Sequence, residues 1–127
     1  MTDNKKLHIL IIDDDDMMRS YLRIMLREAN VENIEEAGTS EKAFKLIKLN
    51  KYDLIFLDIN LPDADGVNSI PDIKTKLPNC EIIMISSEAT MDRVKQAISA
   101  GAKDFIAKPF NATIVETKIK QLVDEVK

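Results

Sequence analysis

The sequence has one cysteine (Cys80), one histidine (His8) and no tryptophan. A lone cysteine excludes an internal disulfide and suits a reducing compartment, so the expected location is the cytoplasm. A lone histidine leaves no second imidazole to complete a metal site. His8 therefore reads as a packed or edge residue of a strand, and Cys80 as inert. No stretch approaches the ~20 apolar residues of a membrane helix, which removes the membrane as a partner. Positive charge is not in excess either. The formal net charge is −4, and such a field does not favour direct binding to nucleic acid or anionic lipid. Repeats, low-complexity tracts and linkers are missing. What remains is 127 residues with 45% hydrophobic content, which suits one domain spanning residues 1–127 around one core and leaves no room for a second.

Apolar runs alternate with helical periodicity. "LHILII" reads as a buried strand, and Met18, Tyr21, Leu22, Met25, Leu26 and Ala29 follow on one helical face. "NIEEA" is a weaker strand, and Thr39 or Ser40 can cap a helix bearing Ala43, Phe44, Leu46 and Ile47. "DLIFLD" is a second buried strand, followed by "NLPDADG", a loop punctuated by Pro62 and Gly66. The next helix is expected to begin near Val67–Ser69, with Pro71 in its first turn, where a missing N–H costs little. "EIIMISS" is a third buried strand. Met91, Val94, Ala97 and Ile98 then mark a helix that Gly101 ends. "DFIAKPF" closes the strand series, and Asn111 caps a helix carrying Val115, Ile119, Leu122 and Val126. Five β–α repeats of this kind predict an α/β fold with a doubly wound, five-stranded parallel sheet of order 2-1-3-4-5.

In such sheets ligands bind beyond the carboxyl ends of the strands, where strand order reverses. Those ends carry Asp13 and Asp14, Asp58, Ser86 and Lys108. Crowded carboxylates call for a hard cation such as Mg²⁺, which takes a few carboxylates and keeps open positions for phosphate oxygens. A carboxylate between a metal and a lysine, with a hydroxyl alongside, is equipped to receive a phosphoryl group as the nucleophile. Taken singly, each residue has a plainer reading. A strand-end Asp caps a helix, Ser86 caps, and Lys108 is a solvated lysine. Their convergence favours the site. Within "DDDD", Asp13 and Asp14 are the expected metal acids, Asp16 the helix cap, and Asp15 a solvent-facing residue.

The motifs "IIDDDD", "IFLDINLPDADG", "IIMISSEA" and "AGAKDFIAKPF" stand in order and span nearly the whole chain. They resemble the response-regulator receiver domain of the stand-alone, CheY-like type, whose fold is flavodoxin-like. The resemblance implies that Asp58 is phosphorylated by a histidine kinase or histidine phosphotransfer protein. It implies Mg²⁺ on Asp13, Asp14, Asp58 and the backbone carbonyl of Asn60. It makes Ser86 the switch hydroxyl, Lys108 the family's lysine and the Lys108–Pro109 bond cis. It places Asn60 and Glu88, two residues past Asp58 and Ser86, where side chains tune phosphoryl lifetime. It also implies an effector protein on the face of the fourth helix, fifth strand and fifth helix, a monomer or weak phosphorylation-dependent dimer, and no independent enzymatic turnover.

Some positions depart from the pattern. Phe105 replaces the usual switch tyrosine and has no hydroxyl, Ser86 replaces the commoner threonine, Ala64 stands where methionine is frequent, and Pro71 is unusual in the third helix. Two other functions compete. A phosphatase or phosphotransferase of haloacid dehalogenase type would need an acid at the Asn60 position and a cap insertion. A phosphorylation-independent pseudo-receiver would not need the full acid set and Lys108.

Overall fold

The computed structural model describes residues 6–126, with side chains described as far as residue 122, so the expected core role of Val126 lies outside the described residues. Among the described residues, seven strands and five helices run in the order β1 (His8–Ile12), α1 (Asp16–Glu28), β2 (Asn33–Ala37), α2 (Ser40–Leu49), β3 (Leu54–Asp58), β4 (Asn60–Leu61), β5 (Ala64–Asp65), α3 (Gly66–Lys76), β6 (Glu81–Ser86), α4 (Met91–Ala100), β7 (Asp104–Ala107), α5 (Ala112–Val126).

Five strands form one parallel sheet in the order β2-β1-β3-β6-β7. With the β4–β5 hairpin set aside, this is the expected 2-1-3-4-5 arrangement. The central strands are buried on both faces, which is why they read as unbroken apolar runs. Successive side chains divide between two cores. Ile9, Ile11, Phe56, Ile83 and Ile85 join Leu22 and Leu26 of α1 and Val115, Ile119 and Leu122 of α5. Leu10, Ile12, Ile55, Leu57 and Met84 join Ala43 of α2, Ile70 and Ile73 of α3 and Ala97 of α4. Each fully buried leucine or isoleucine contributes roughly 1.5–3 kcal/mol by leaving water, and this two-sided core holds the strand ends in register. No helix among the described residues is long and apolar enough to cross a membrane.

Most predicted boundaries agree with the structure. Thr39 caps α2 through Lys42 N, the Asn111 side chain accepts from Ile114 N, and Gly101 ends α4 at φ 123°, a conformation that only glycine adopts without strain. Four expectations need correction. Asp15, not Asp16, caps α1, its carboxylate accepting from Met17 N and Met18 N, although it is also exposed as expected. Asp16 is the first helical residue, where its charge still meets the helix dipole. The segment "NLPDADG" is not purely loop but holds the β4–β5 hairpin, with Asn60 opposite Asp65 and Leu61 opposite Ala64. Helix α3 begins at Gly66, because Asp65 caps it through Val67 N, so Pro71 falls in the second turn. There its ring points to solvent and removes the N–H that the Val67 carbonyl would otherwise meet.

The apolar faces of two helices are also less buried than their periodicity suggests. Tyr21 is 45% exposed and stacks on Phe110, while Ile98 is 46% exposed and Met91 71%. Helix α4 buries only Ala97, so it lies on the sheet with a small contact. His8 Nε2 donates to Glu35 Oε1 at 2.6 Å, and its ring tilts against Tyr52 at 4.5 Å, as befits a packed strand residue. Cys80 is buried, and burial pushes its thiol up to about 12, which leaves it unreactive at neutral pH.

Candidate functional site

Strand β1 runs straight into Asp13, whose backbone N–H extends the ladder by donating to the Ala37 carbonyl at 3.1 Å. Asp13 is wholly buried. Its Oδ1 accepts from Asp15 N at 2.9 Å and its Oδ2 from Lys108 Nζ at 2.7 Å. Asp14, the next residue, is exposed. Strand β3 delivers Asp58 alongside, 5% exposed, with Oδ1 accepting from Asn60 N at 3.2 Å and Oδ2 from Lys108 Nζ at 3.1 Å. Carboxylate oxygens of Asp13, Asp14 and Asp58 lie within 4.8 Å of one another, the one such acidic group among the described residues.

Lys108 reaches this place because β7 ends beside β6. Its N–H donates to the Ser86 carbonyl at 3.0 Å, and the Lys108–Pro109 bond is cis. Ser86 is fully buried, one residue beyond the position opposite Asp58, with Oγ accepting from Glu88 N at 2.9 Å. Asn60 and Glu88, both exposed, meet through a 2.9 Å bond from Asn60 Nδ2 to Glu88 Oε1. Phe105 stands apart from the acids. It sits opposite Met84 on β7, half-buried against the α3–α4 side of the sheet.

The electrostatics follow from crowding. Burial first, then the negative charge of Asp13, raises the Asp58 carboxyl from 3.8 to about 6, against the opposing pull of Lys108 and the Asn60 N–H. Burial by itself would lower the Lys108 ammonium, but its bonds to Asp13 and Asp58 outweigh this and raise it, so the lysine remains charged. Three hard oxygen donors brought together, with one lysine to offset three carboxylates, suit Mg²⁺ in kind and number.

The loop after Asp58 is folded tightly onto the site. Gly66 N donates to the Ile59 carbonyl at 2.6 Å, and a Cβ on Gly66 would overlap the Asp58 carbonyl oxygen and lie 3.0 Å from Ile59 Cα. Asp63, in the same loop, accepts from Ser40 N and Glu41 N at the start of α2, which holds its carboxyl below the ordinary range. Sequence reasoning missed Asp63, Gly66 as a packing requirement, and Arg19, which contacts the Asp13 carbonyl. The signal for Arg19 was present as an i, i+3 pair with Asp16.

The response regulator receiver domain family matches residues 9–120. The chain belongs to that family. Among its relatives are protein CcdB of Bacillus subtilis, 38% identical over 118 residues (93% of this chain and 95% of that protein), and the chemotaxis protein CheY of Listeria monocytogenes, 37% identical over 106 residues (84% and 89%). A two-component response regulator from Clostridium difficile superposes with a TM-score of 0.91 at 32% identity, covering 96% of this chain and 99% of the other. The beryllofluoride-activated NtrC4 receiver domain dimer gives 0.88 at 33% identity, covering 94% and 98%. This receiver is therefore a phosphorylation-dependent switch of two-component signalling, and nothing found favours the dehalogenase-type or pseudo-receiver alternatives. Receivers of the family are signalling switches that bind Mg²⁺ at an acidic cluster and interact with histidine kinases or phosphotransfer proteins and with downstream effectors.

Proposed function

We propose that Asp58 is the phosphoryl acceptor, within a single receiver domain covering residues 1–127. Mg²⁺ is held by the carboxylates of Asp13, Asp14 and Asp58 and the backbone carbonyl of Asn60. The observation that carries this reading is the Lys108 ammonium within hydrogen-bond distance of both Asp13 and Asp58. A Asp58 carboxylate oxygen attacks the phosphorus of a phosphohistidine on a kinase or phosphotransfer protein. The P–O bond forms as the P–N bond breaks, and the released imidazole takes up a proton. Mg²⁺, when bound, supplies the positive charge that the equatorial phosphoryl oxygens require. Lys108 donates to one of those oxygens and keeps the acceptor oriented, in a pocket where fixed donors count for more than in water.

Ser86 acts as the switch. In the unphosphorylated arrangement its oxygen accepts from Glu88 N, which leaves the hydroxyl proton free to turn toward a phosphoryl oxygen. That movement biases Phe105 and the α4–β7–α5 face between two populations, and an effector protein binds one of them. Exposed Met91 and Ile98 on α4 support this face as the docking surface. Asn60 and Glu88, bonded to each other beside the acids, govern water access and so the phosphoryl lifetime, the only turnover the chain performs. The receiver works as a monomer or weak phosphorylation-dependent dimer, and the free, buried Cys80 supports a cytoplasmic setting. Incubation with a small phosphodonor and Mg²⁺ is expected to add one phosphoryl group by intact-mass measurement. Omitting Mg²⁺ or introducing Asp58→Asn is expected to abolish it, and an adduct that survives the substitution would refute the assignment.

A further inference from the structure

Arg19, on α1, is an arginine of a surface helix whose side chain is only 15% exposed. Its guanidinium is spent on three different segments. Nη1 donates to the backbone carbonyl of Asp13, Nη2 to the carboxylate of Asp16, and Nε to Glu36 Oε1 on β2 at 3.1 Å. Glu36 is fixed from its other oxygen by Arg23 Nε at 2.9 Å, and Arg23 in turn donates to the Ile34 carbonyl at 3.0 and 3.2 Å. A Cβ on Gly38 would lie 3.3 Å from Arg19 Nη1, so the glycine leaves open the slot in which the guanidinium lies.

The carbonyl of Asp13 is part of the peptide that joins Asp13 to Asp14. The N–H of Asp13 is the last rung toward β2, bonded to the Ala37 carbonyl, so its carbonyl lies past the ladder and Arg19 takes over there. The following peptide is held by Asp15 N donating to Asp13 Oδ1. Asp14 is exposed, yet the peptides on both sides of it are tied down, one by Arg19 and one by the Asp13 carboxylate. The direction of a side chain is set by the two peptide planes that flank its Cα. We infer that Arg19 is a positioning residue of the acidic cluster. By fixing the Asp13–Asp14 peptide it holds the Asp14 carboxylate where it can share a cation with Asp13 and Asp58. This rests on the reading of those three acids as Mg²⁺ ligands.

Charge and position pull in opposite directions here, and that makes the inference testable. A guanidinium near the acids repels a cation, so if charge were its whole influence, its removal would tighten Mg²⁺ binding. If position governs, removal loosens binding, as loss of the outer partners of metal ligands does. Mg²⁺ affinity of the full chain is measured by calorimetric titration without phosphodonor, and urea midpoints are taken in EDTA. Arg19→Gln is expected to weaken Mg²⁺ binding roughly tenfold. Arg19→Lys keeps the charge but loses the three-way fork, and it is expected to fail as a rescue. Gly38→Val keeps the arginine and fills its slot, and the same weakening is expected. Arg23→Gln loosens Glu36 without touching Asp13 and is expected to bind within about twofold of the unaltered chain. Should Arg19→Gln fold poorly, Arg19→Lys and Gly38→Val decide the matter. Tighter binding by Arg19→Gln, or unchanged binding by Arg19→Lys and Gly38→Val, overturns the inference alone. No Mg²⁺ binding by the unaltered chain overturns the metal reading and this inference with it.

Discussion

Replacing Asp58 by asparagine is expected to stabilise the metal-free protein, because Asp58 stands where two carboxylates share one lysine. Its folded-state value of about 6 against an ordinary 3.8 means that the native protein holds this proton more tightly than the unfolded chain. Between those values the native state carries the extra proton, so this group makes stability fall as pH rises from about 4 to about 6. Above that window the whole penalty is present. About two units at about 1.4 kcal/mol each set a ceiling of about 3 kcal/mol. That penalty is already net of the attraction to Lys108, and because the amide is an imperfect match for the protonated carboxyl the expected gain from Asp58→Asn is about 1–3 kcal/mol at pH 7.5. Urea unfolding in EDTA at pH 7.5 and pH 4 measures it, and the two proteins are expected to converge at the lower pH. Saturating Mg²⁺ narrows the gap, since ligand binding stabilises the unaltered chain and the substituted one lacks a carboxylate ligand. An Asp58→Asn protein less stable at pH 7.5 in EDTA, or a difference that ignores pH, would refute the reasoning.

Gly66→Ala places a methyl group against the Asp58 carbonyl and Ile59 Cα, so it is expected to cost about 1–3 kcal/mol by urea unfolding and to shift the Asp58 and Ile59 amide resonances. Asp15→Ala removes the α1 cap and is expected to lower stability by about 1 kcal/mol in EDTA, whereas Asp16→Ala, an exposed pair with Arg19, is expected to cost about 0.5 kcal/mol or less.

The strands, most of the helices and their order were legible in the sequence because burial on both faces writes continuous apolar runs, and amphipathic helices write a 3.6-residue period. The site was legible for a related reason. A parallel sheet brings all its carboxyl ends to one rim, so Asp13, Asp14, Asp58, Ser86 and Lys108 could be gathered from one-dimensional order alone. Which aspartate caps α1 was not legible, since four identical side chains in a row carry no pattern and the backbone entry angle selects Asp15. Pro71 misled because the position of a helix start depends on the cap, and Asp65 moves that start forward. Tyr21 and Ile98 keep helical spacing, but periodicity does not record how deep such a face sits, and both stay nearly half exposed.

Sequence alone determined the chemical inventory and its placement at the sheet rim. Tertiary structure decided which carboxylate is buried, that one ammonium bridges Asp13 and Asp58, and that Arg19 grips the backbone between two acids. Periodicity records whether a residue meets water or the core. It holds no record of distances between side chains many residues apart, and the 95 residues separating Asp13 from Lys108 close only when the sheet has formed.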